Sequence, residues 1–146
     1  MQRAKKTAEI IQQCLESNPR LTVAPKLLET DLPLWEKCQK EQVKTEYPEA
    51  YQTWKKHPHQ FKMTVEGKDH YPVLSLYQQA QEFWQEVIPK NEGKTILIVA
   101  HNGINRCLIM TALGIDPSRY HTIQQSNCCI NVLNFTGGWG NPVQLE

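Results

Sequence analysis

A chain of 146 residues has the length of one domain and can bury roughly two-thirds of the surface that its unfolded form exposes. Its 16 basic and 15 acidic residues leave a formal net charge of +1, which speaks against the basic footprint of a nucleic-acid or membrane-surface binder and points to a small molecule as partner. Five cysteines, an odd number without a C-x-x-C pair, supply neither a zinc motif nor a dithiol redox pair, and read as reduced cytosolic thiols.

No apolar run approaches the ~18 residues of a membrane span. The start MQRAKKTAEII lacks an apolar core followed by a small-residue cleavage site. The expectation is a soluble chain without a targeting segment, cytoplasmic, or in the plastid stroma if the source is a plant.

In chain order, Ala8, Ile11 and Leu15, with Ile10 and Cys14 alongside, keep helical spacing from Arg3, and Asn18-Pro19 stops that helix. Only Met1 and Gln2 precede it, so the helix has no capping residue or lead-in turn, and a missing upstream segment is expected. Residues 21–24 form a short strand candidate and residues 32–44 a helix, with Pro33 suited to its first turn. The polar stretch from 46, with Pro48, Pro58 and Gly67, reads as a lid-like insertion over 46–72.

Val73, Leu76, Tyr77, Ala80, Phe83, Trp84, Val87 and Ile88 recur at steps of three and one, which predicts a helix with one apolar stripe. Residues 96–100, ILIVA, are apolar and β-favouring without alternation, as in a strand of a parallel sheet covered on both faces. A mostly buried helix follows over 102–113 and stops at Gly114. Residues 128–135 form a strand, Gly137-Gly138 a turn, and residues 143–146 a last short strand. Strands alternating with helices predict an α/β layered fold.

His101 falls at the carboxyl end of the 96–100 strand, where open α/β sheets place their ligands. The helix after it presents unpaired N–H groups and a partial positive charge, which favour an anion and phosphate above all. A histidine in that position that does no more than cap the helix is the plain alternative.

Three segments in a fixed order carry a resemblance. Arg3-Ala4-Lys5-Lys6-Thr7-Ala8 resembles the R-A-x-x-T-A signature of the histidine phosphatase, or phosphoglycerate mutase-like, superfamily. Residues 28–36, LETDLPLWE, are similar to its L-x-E-x-x-x-G-x-W-E segment, with Pro33-Leu34 in place of the glycine region. Ile98-Val99-Ala100-His101-Asn102-Gly103 resembles the strand that ends in the second active-site histidine, where S-H-G is the commoner form. Tyr47-Pro48-Glu49-Ala50-Tyr51 with Trp54, His70-Tyr71-Pro72-Val73, Val99-Ala100-His101-Asn102 and Gln125-Ser126-Asn127-Cys128 are similar to the plant and cyanobacterial 2-carboxy-D-arabinitol-1-phosphatase-like group.

The resemblance implies a three-layer α/β/α phosphoglycerate mutase-like fold. It implies roles as well: Arg3 as a phosphate clamp through its bidentate guanidinium, His101 as a ligand of the transferring phosphoryl group, Glu29 as the proton donor to the leaving alkoxide, and Asn102 as a polar contact at the pocket wall. Read without it, Arg3 is a surface helix residue, Glu29 a solvated loop carboxylate and Asn102 a helix cap.

The superfamily's reaction uses another histidine, in an N-terminal R-H-G motif, to attack phosphorus and form a phosphohistidine. No Arg-His dipeptide occurs here, and His57, His59, His70, His101 and His121 all follow the RAKKTA segment. Residues 1–146 are therefore expected to be a partial domain, its fold incomplete for want of the N-terminal strand-helix-strand, marginally stable and inactive alone. The expected activity of the parent is hydrolysis of phosphoric monoesters of small metabolites such as sugar phosphates. Phosphoglycerate mutase-type phosphotransfer and a non-catalytic phosphate-binding module are the alternatives. No metal or cofactor is expected, because His57-x-His59 is a weak ligand signal. Those two histidines are expected at the surface, while His70 and His121, beside Tyr71 and Tyr120, suit structural roles equally well. The expected partner is a small phosphorylated substrate, neither nucleic acid nor membrane, and the oligomeric state is left open.

Overall fold

Two helices make the main core because their apolar residues fall on facing stripes. In the computed structural model, which describes residues 2–141 and 143–146, helix α4 (Pro72–Lys90) presents Val73, Leu76, Ala80, Phe83 and Trp84, and helix α5 (Asn102–Ala112) presents Ile104, Cys107, Leu108 and Met110. Val73, Ala80, Ile104, Cys107 and Met110 are wholly removed from solvent. The Trp84 indole satisfies its N–H inside this core by donating to the Leu108 carbonyl at 2.9 Å, and Tyr77 donates to the Ile115 carbonyl at 2.9 Å. Gly114, at φ +66°, ends α5 in the left-handed conformation that glycine adopts without strain.

A second cluster sits around Trp35, Val43, Phe61 and Met63. Helices α2 (Lys40–Glu46) and α3 (Pro48–Lys56) and a hairpin of β1 (Met63–Val65) with β2 (Lys68–His70) surround it. Trp54 joins the two clusters, with its ring 5.2 Å from Phe61 and 5.7 Å from Tyr120. Residues 46–72 are thus ordered around their own apolar contacts, more regular than their polar composition suggested.

The strand expected over residues 96–100 finds no sheet partner among the described residues. Among the described residues, sheet is limited to two antiparallel pairs, β1 with β2 and β3 (Leu133–Phe135) with β4 (Val143–Leu145). Residues 96–100 form no ladder, and Ile96 and Leu97 are 41% and 61% exposed. The reason is that a strand consists of its neighbours' hydrogen bonds, and no described segment pairs with this one to provide them.

Three other expectations shift. Residues 21–24 form no strand and lead into a 3-10 turn, Pro25–Leu27. The helix expected over 32–44 begins only at Lys40, because Trp35 and Cys38 donate to Leu32 and Trp35 in tight turns that bury the Trp35 ring. The strand expected over 128–135 is shorter, since Cys128 turns the chain at φ +60° and regular pairing starts at Leu133. Helix α1 (Gln2–Cys14) forms as expected but buries none of its residues, leaving Ile10 51% and Leu15 41% exposed. No described helix is long and apolar enough to cross a membrane.

Candidate functional site

Helix α5 begins at a point where three backbone N–H groups have no partner within the helix. The residue before it, His101, has extended backbone (φ −126°, ψ 165°), and its side chain makes no capping bond. The capping group comes from far away in sequence. Glu29 accepts from the Gly103 N–H through Oε2 at 3.1 Å and from the Ile104 N–H through Oε1 at 3.2 Å. The same Oε1 accepts from the Thr30 N–H at 2.8 Å and from the Thr30 hydroxyl at 3.3 Å. A carboxylate on the positive end of a helix is electrostatically favoured, and here it occupies N–H groups of the kind that bind anions at helix starts.

The close approach depends on Gly103. A Cβ at that position would collide with the Thr30 hydroxyl oxygen and with Glu29 Oε1, and would lie 2.8 Å from the Tyr120 hydroxyl. Tyr120 closes the far side. Its hydroxyl is 3.4 Å from Thr30 Oγ1, its ring is buried, and burial pushes its pKa up to about 12, so it stays protonated. Burial, with Glu29 nearby, likewise pushes the Cys107 thiol up to about 12, which removes it as a nucleophile.

The residues singled out in the sequence are partly gathered here. Glu29 is bonded to the Gly103 and Ile104 N–H groups at the start of α5, and His101 is the residue that precedes that helix. Asn102 instead donates through Nδ2 to the Gln125 carbonyl at 2.8 Å, which ties the start of α5 to the 123–129 loop. Arg3 is not brought to this cluster. It lies exposed on α1, where its carbonyl accepts from Thr7, and that helix contributes to neither core.

Two of the other histidines settle against backbone. His121 Nε2 is 2.7 Å from the Trp54 carbonyl and His70 Nε2 is 3.3 Å from that of Asp31. His57 is exposed as expected, but His59 is half-buried, with its Nδ1 out of solvent and without a partner. Among the described residues, no group of three or more His, Cys, Asp or Glu side chains is placed to hold a metal.

Sequence reasoning missed Thr30, Gly103 and Tyr120. Gly103 carried a signal, a glycine two residues after the strand-end histidine. Tyr120 carried none beyond its neighbour His121.

With this geometry in view, comparison with known proteins gives a consistent result. A profile of the histidine phosphatase superfamily (branch 1) matches residues 1–145. The chain is 37% identical over 134 residues to 2-carboxy-D-arabinitol-1-phosphatase of Triticum aestivum, covering 92% of this chain and 26% of that protein. It is 36% identical over 135 residues to a probable 2-carboxy-D-arabinitol-1-phosphatase of Arabidopsis thaliana, covering 92% of this chain and 27% of that one. The chain therefore spans about a quarter of the length of these relatives.

Proposed function

The chain belongs to the histidine phosphatase superfamily, branch 1, and from that premise we propose that it is part of a phosphomonoesterase that hydrolyses small phosphorylated metabolites, sugar phosphates above all, through a phosphohistidine. The observation that carries this reading is the pairing of Glu29 with the first N–H groups of α5, immediately after His101. A carboxyl group, a histidine and a helix N-terminus at one place are the parts that phosphoryl transfer needs besides its nucleophile. The two relatives named for a sugar-acid phosphate support the substrate class.

In the proposed reaction a histidine nitrogen attacks phosphorus as the P–O bond to the sugar breaks. Glu29, protonated by water as phosphate displaces it from the Gly103 and Ile104 N–H groups, gives that proton to the departing alkoxide. Water then attacks the phosphohistidine, Glu29 takes the water's proton, and inorganic phosphate leaves. His101 and the N–H groups of Gly103 and Ile104 hold the phosphoryl oxygens as charge builds on them. Since Glu29 occupies those N–H groups, phosphate must displace it or bind beside it, which brings acid and leaving group together. Arg3 serves as a clamp if α1 docks against this site.

Residues 1–146 contain no Arg-His dipeptide, so the attacking histidine comes from outside them in this proposal. The 146-residue chain alone is then a partial α/β/α domain without turnover, and residues 96–100 are the place where further strands pair. The in-frame coding sequence upstream of Met1 tests this. An encoded R-H-G, together with acid-labile phosphate trapped on the extended protein by a labelled sugar phosphate, supports the reading; a stop codon with no such sequence refutes it.

A further inference from the structure

The start of α5 carries a reactive dipeptide as well as a helix cap. Asn102-Gly103 is the one Asn-Gly pair in the chain. An asparagine before glycine is open to attack from its own backbone, because the glycine nitrogen has no Cβ beside it to hinder its approach to the side-chain amide carbon. Asn102 is exposed to solvent. The other asparagines precede Pro, Glu, Arg, Cys, Val or Phe, whose bulk or missing N–H obstructs the same step.

The helix restrains this chemistry. In helical backbone the Cα–Cβ bond tilts toward the N-terminus, which carries the Asn102 amide carbon away from the Gly103 nitrogen that follows it. The two atoms meet only when residues 102–103 leave the helix. Bonds that oppose this run from the Asn102 amide to the Gln125 carbonyl at 2.8 Å, from the Gly103 N–H to Glu29 Oε2 at 3.1 Å and from the Asn105 N–H to the His101 carbonyl at 2.9 Å. Glu29 acts twice here. It keeps the turn closed, and as an anionic acceptor it disfavours loss of the Gly103 amide proton, which the attack requires.

We propose that Asn102 is a site of spontaneous deamidation that Glu29 holds in check. The Gly103 nitrogen gives its proton to solvent and attacks Asn102 Cγ, so that a succinimide ring closes while the Cγ–Nδ2 bond breaks and the amide nitrogen takes up a proton and leaves as ammonia. Water then opens the ring on either side of the Gly103 nitrogen, leaving an aspartyl or an isoaspartyl residue at position 102. Water enters and ammonia leaves, with no oxidant or reductant. Either product loosens the start of α5: a carboxylate there has no hydrogen to donate to the Gln125 carbonyl, and the isoaspartyl link adds a carbon to the main chain just before the N–H groups bonded to Glu29. The inference uses Glu29 only as a helix cap and stands apart from the catalytic reading.

The test incubates the purified 146-residue chain at neutral pH, folded and in urea, and follows each asparagine by peptide mapping with mass spectrometry, which separates aspartyl from isoaspartyl peptides. In the folded chain Asn102 is expected to convert ahead of every other asparagine, and more slowly than in urea. Glu29→Ala should speed the folded conversion about fivefold, the factor by which loss of a helix cap raises the open population, and Glu29→Gln should speed it less. If Glu29→Ala does not fold, Glu29→Gln and the parent's folded and urea rates decide the matter. Conversion led by another asparagine, an Asn102 that stays intact while the urea sample converts, equal rates folded and in urea, or a folded Glu29→Ala that converts at the parent's rate would each overturn the proposal.

Discussion

Glu29 and Gly103, 74 residues apart in sequence, are joined by a 3.1 Å hydrogen bond from the glycine N–H to the carboxylate. That bond makes a candidate proton donor double as the cap of the helix that follows the candidate phosphate-binding histidine. In the proposed reaction, stability and chemistry are therefore coupled at one side chain.

Removing the carboxylate should loosen α5. Glu29→Ala is expected to lower unfolding free energy by about 1 kcal/mol, the usual worth of a helix N-cap, and Glu29→Gln by less, since an amide oxygen still accepts. Urea unfolding followed by circular dichroism measures both; an unchanged midpoint in Glu29→Ala means that the cap carries no stability.

Gly103→Ala should be worse than its single methyl suggests. The new Cβ meets the Thr30 hydroxyl oxygen, Glu29 Oε1 and the Tyr120 hydroxyl together, and overpacking of this kind costs about 1–3 kcal/mol. The double variant Gly103→Ala, Thr30→Ala should recover part of the loss in the same urea experiment. If the single change is neutral, the approach of Glu29 to α5 is looser than described.

Acid should weaken the chain through His121 first. Burial is the main cause of a pKa held below the ordinary 6.5, so as pH falls past that value the folded state binds fewer protons than the unfolded one. Its stabilising contribution is complete above pH 6.5 and is lost as pH falls from there through the lowered folded value. The paired acids Asp69, Glu86 and Asp116, also lowered, act further down, from 3.8 or 4.5. His121→Gln should therefore flatten the stability profile just below pH 6.5 while keeping the steeper loss at lower pH. A profile with the same slope in variant and parent counts against this.

Thiol labelling should separate the five cysteines by burial. Cys14, Cys128 and Cys129 are exposed, Cys38 is half-buried, and Cys107 is buried with its pKa near 12. A thiol reagent at neutral pH should modify three residues quickly, Cys38 more slowly and Cys107 only on unfolding, as mass spectrometry would resolve. Early labelling of Cys107 would mean that the α4–α5 core opens readily.

What could be read from the sequence was what repeats locally. Helices α4 and α5 were legible because their apolar residues recur at helical spacing and each buries that stripe against the other. The apolar run 96–100 was legible too, but it takes part in no strand pairing here, since partners for a strand are non-local and apolar content does not say who they are. Residues 32–39 misled for a related reason: Pro33 fits a helix start, yet burying Trp35 against Phe61, with rings 4.8 Å apart, favours a tight turn. In the site, Glu29 and His101 were found by motif, whereas the bonds from Gly103 and Ile104 to Glu29, and the Tyr120 hydroxyl behind them, arise only when distant segments meet.

The central claim is that Glu29 and His101 serve one phosphoryl-transfer site. It is tested most directly by the steady-state rate of the extended, R-H-G-bearing protein on a sugar phosphate, with Glu29→Gln and His101→Gln beside the parent. A loss of at least about a hundredfold in kcat for each, as general acid catalysis and charge stabilisation supply, is the predicted result. A Glu29→Gln enzyme that turns over at the parent's rate would contradict the account, leaving Glu29 as a helix cap and nothing more.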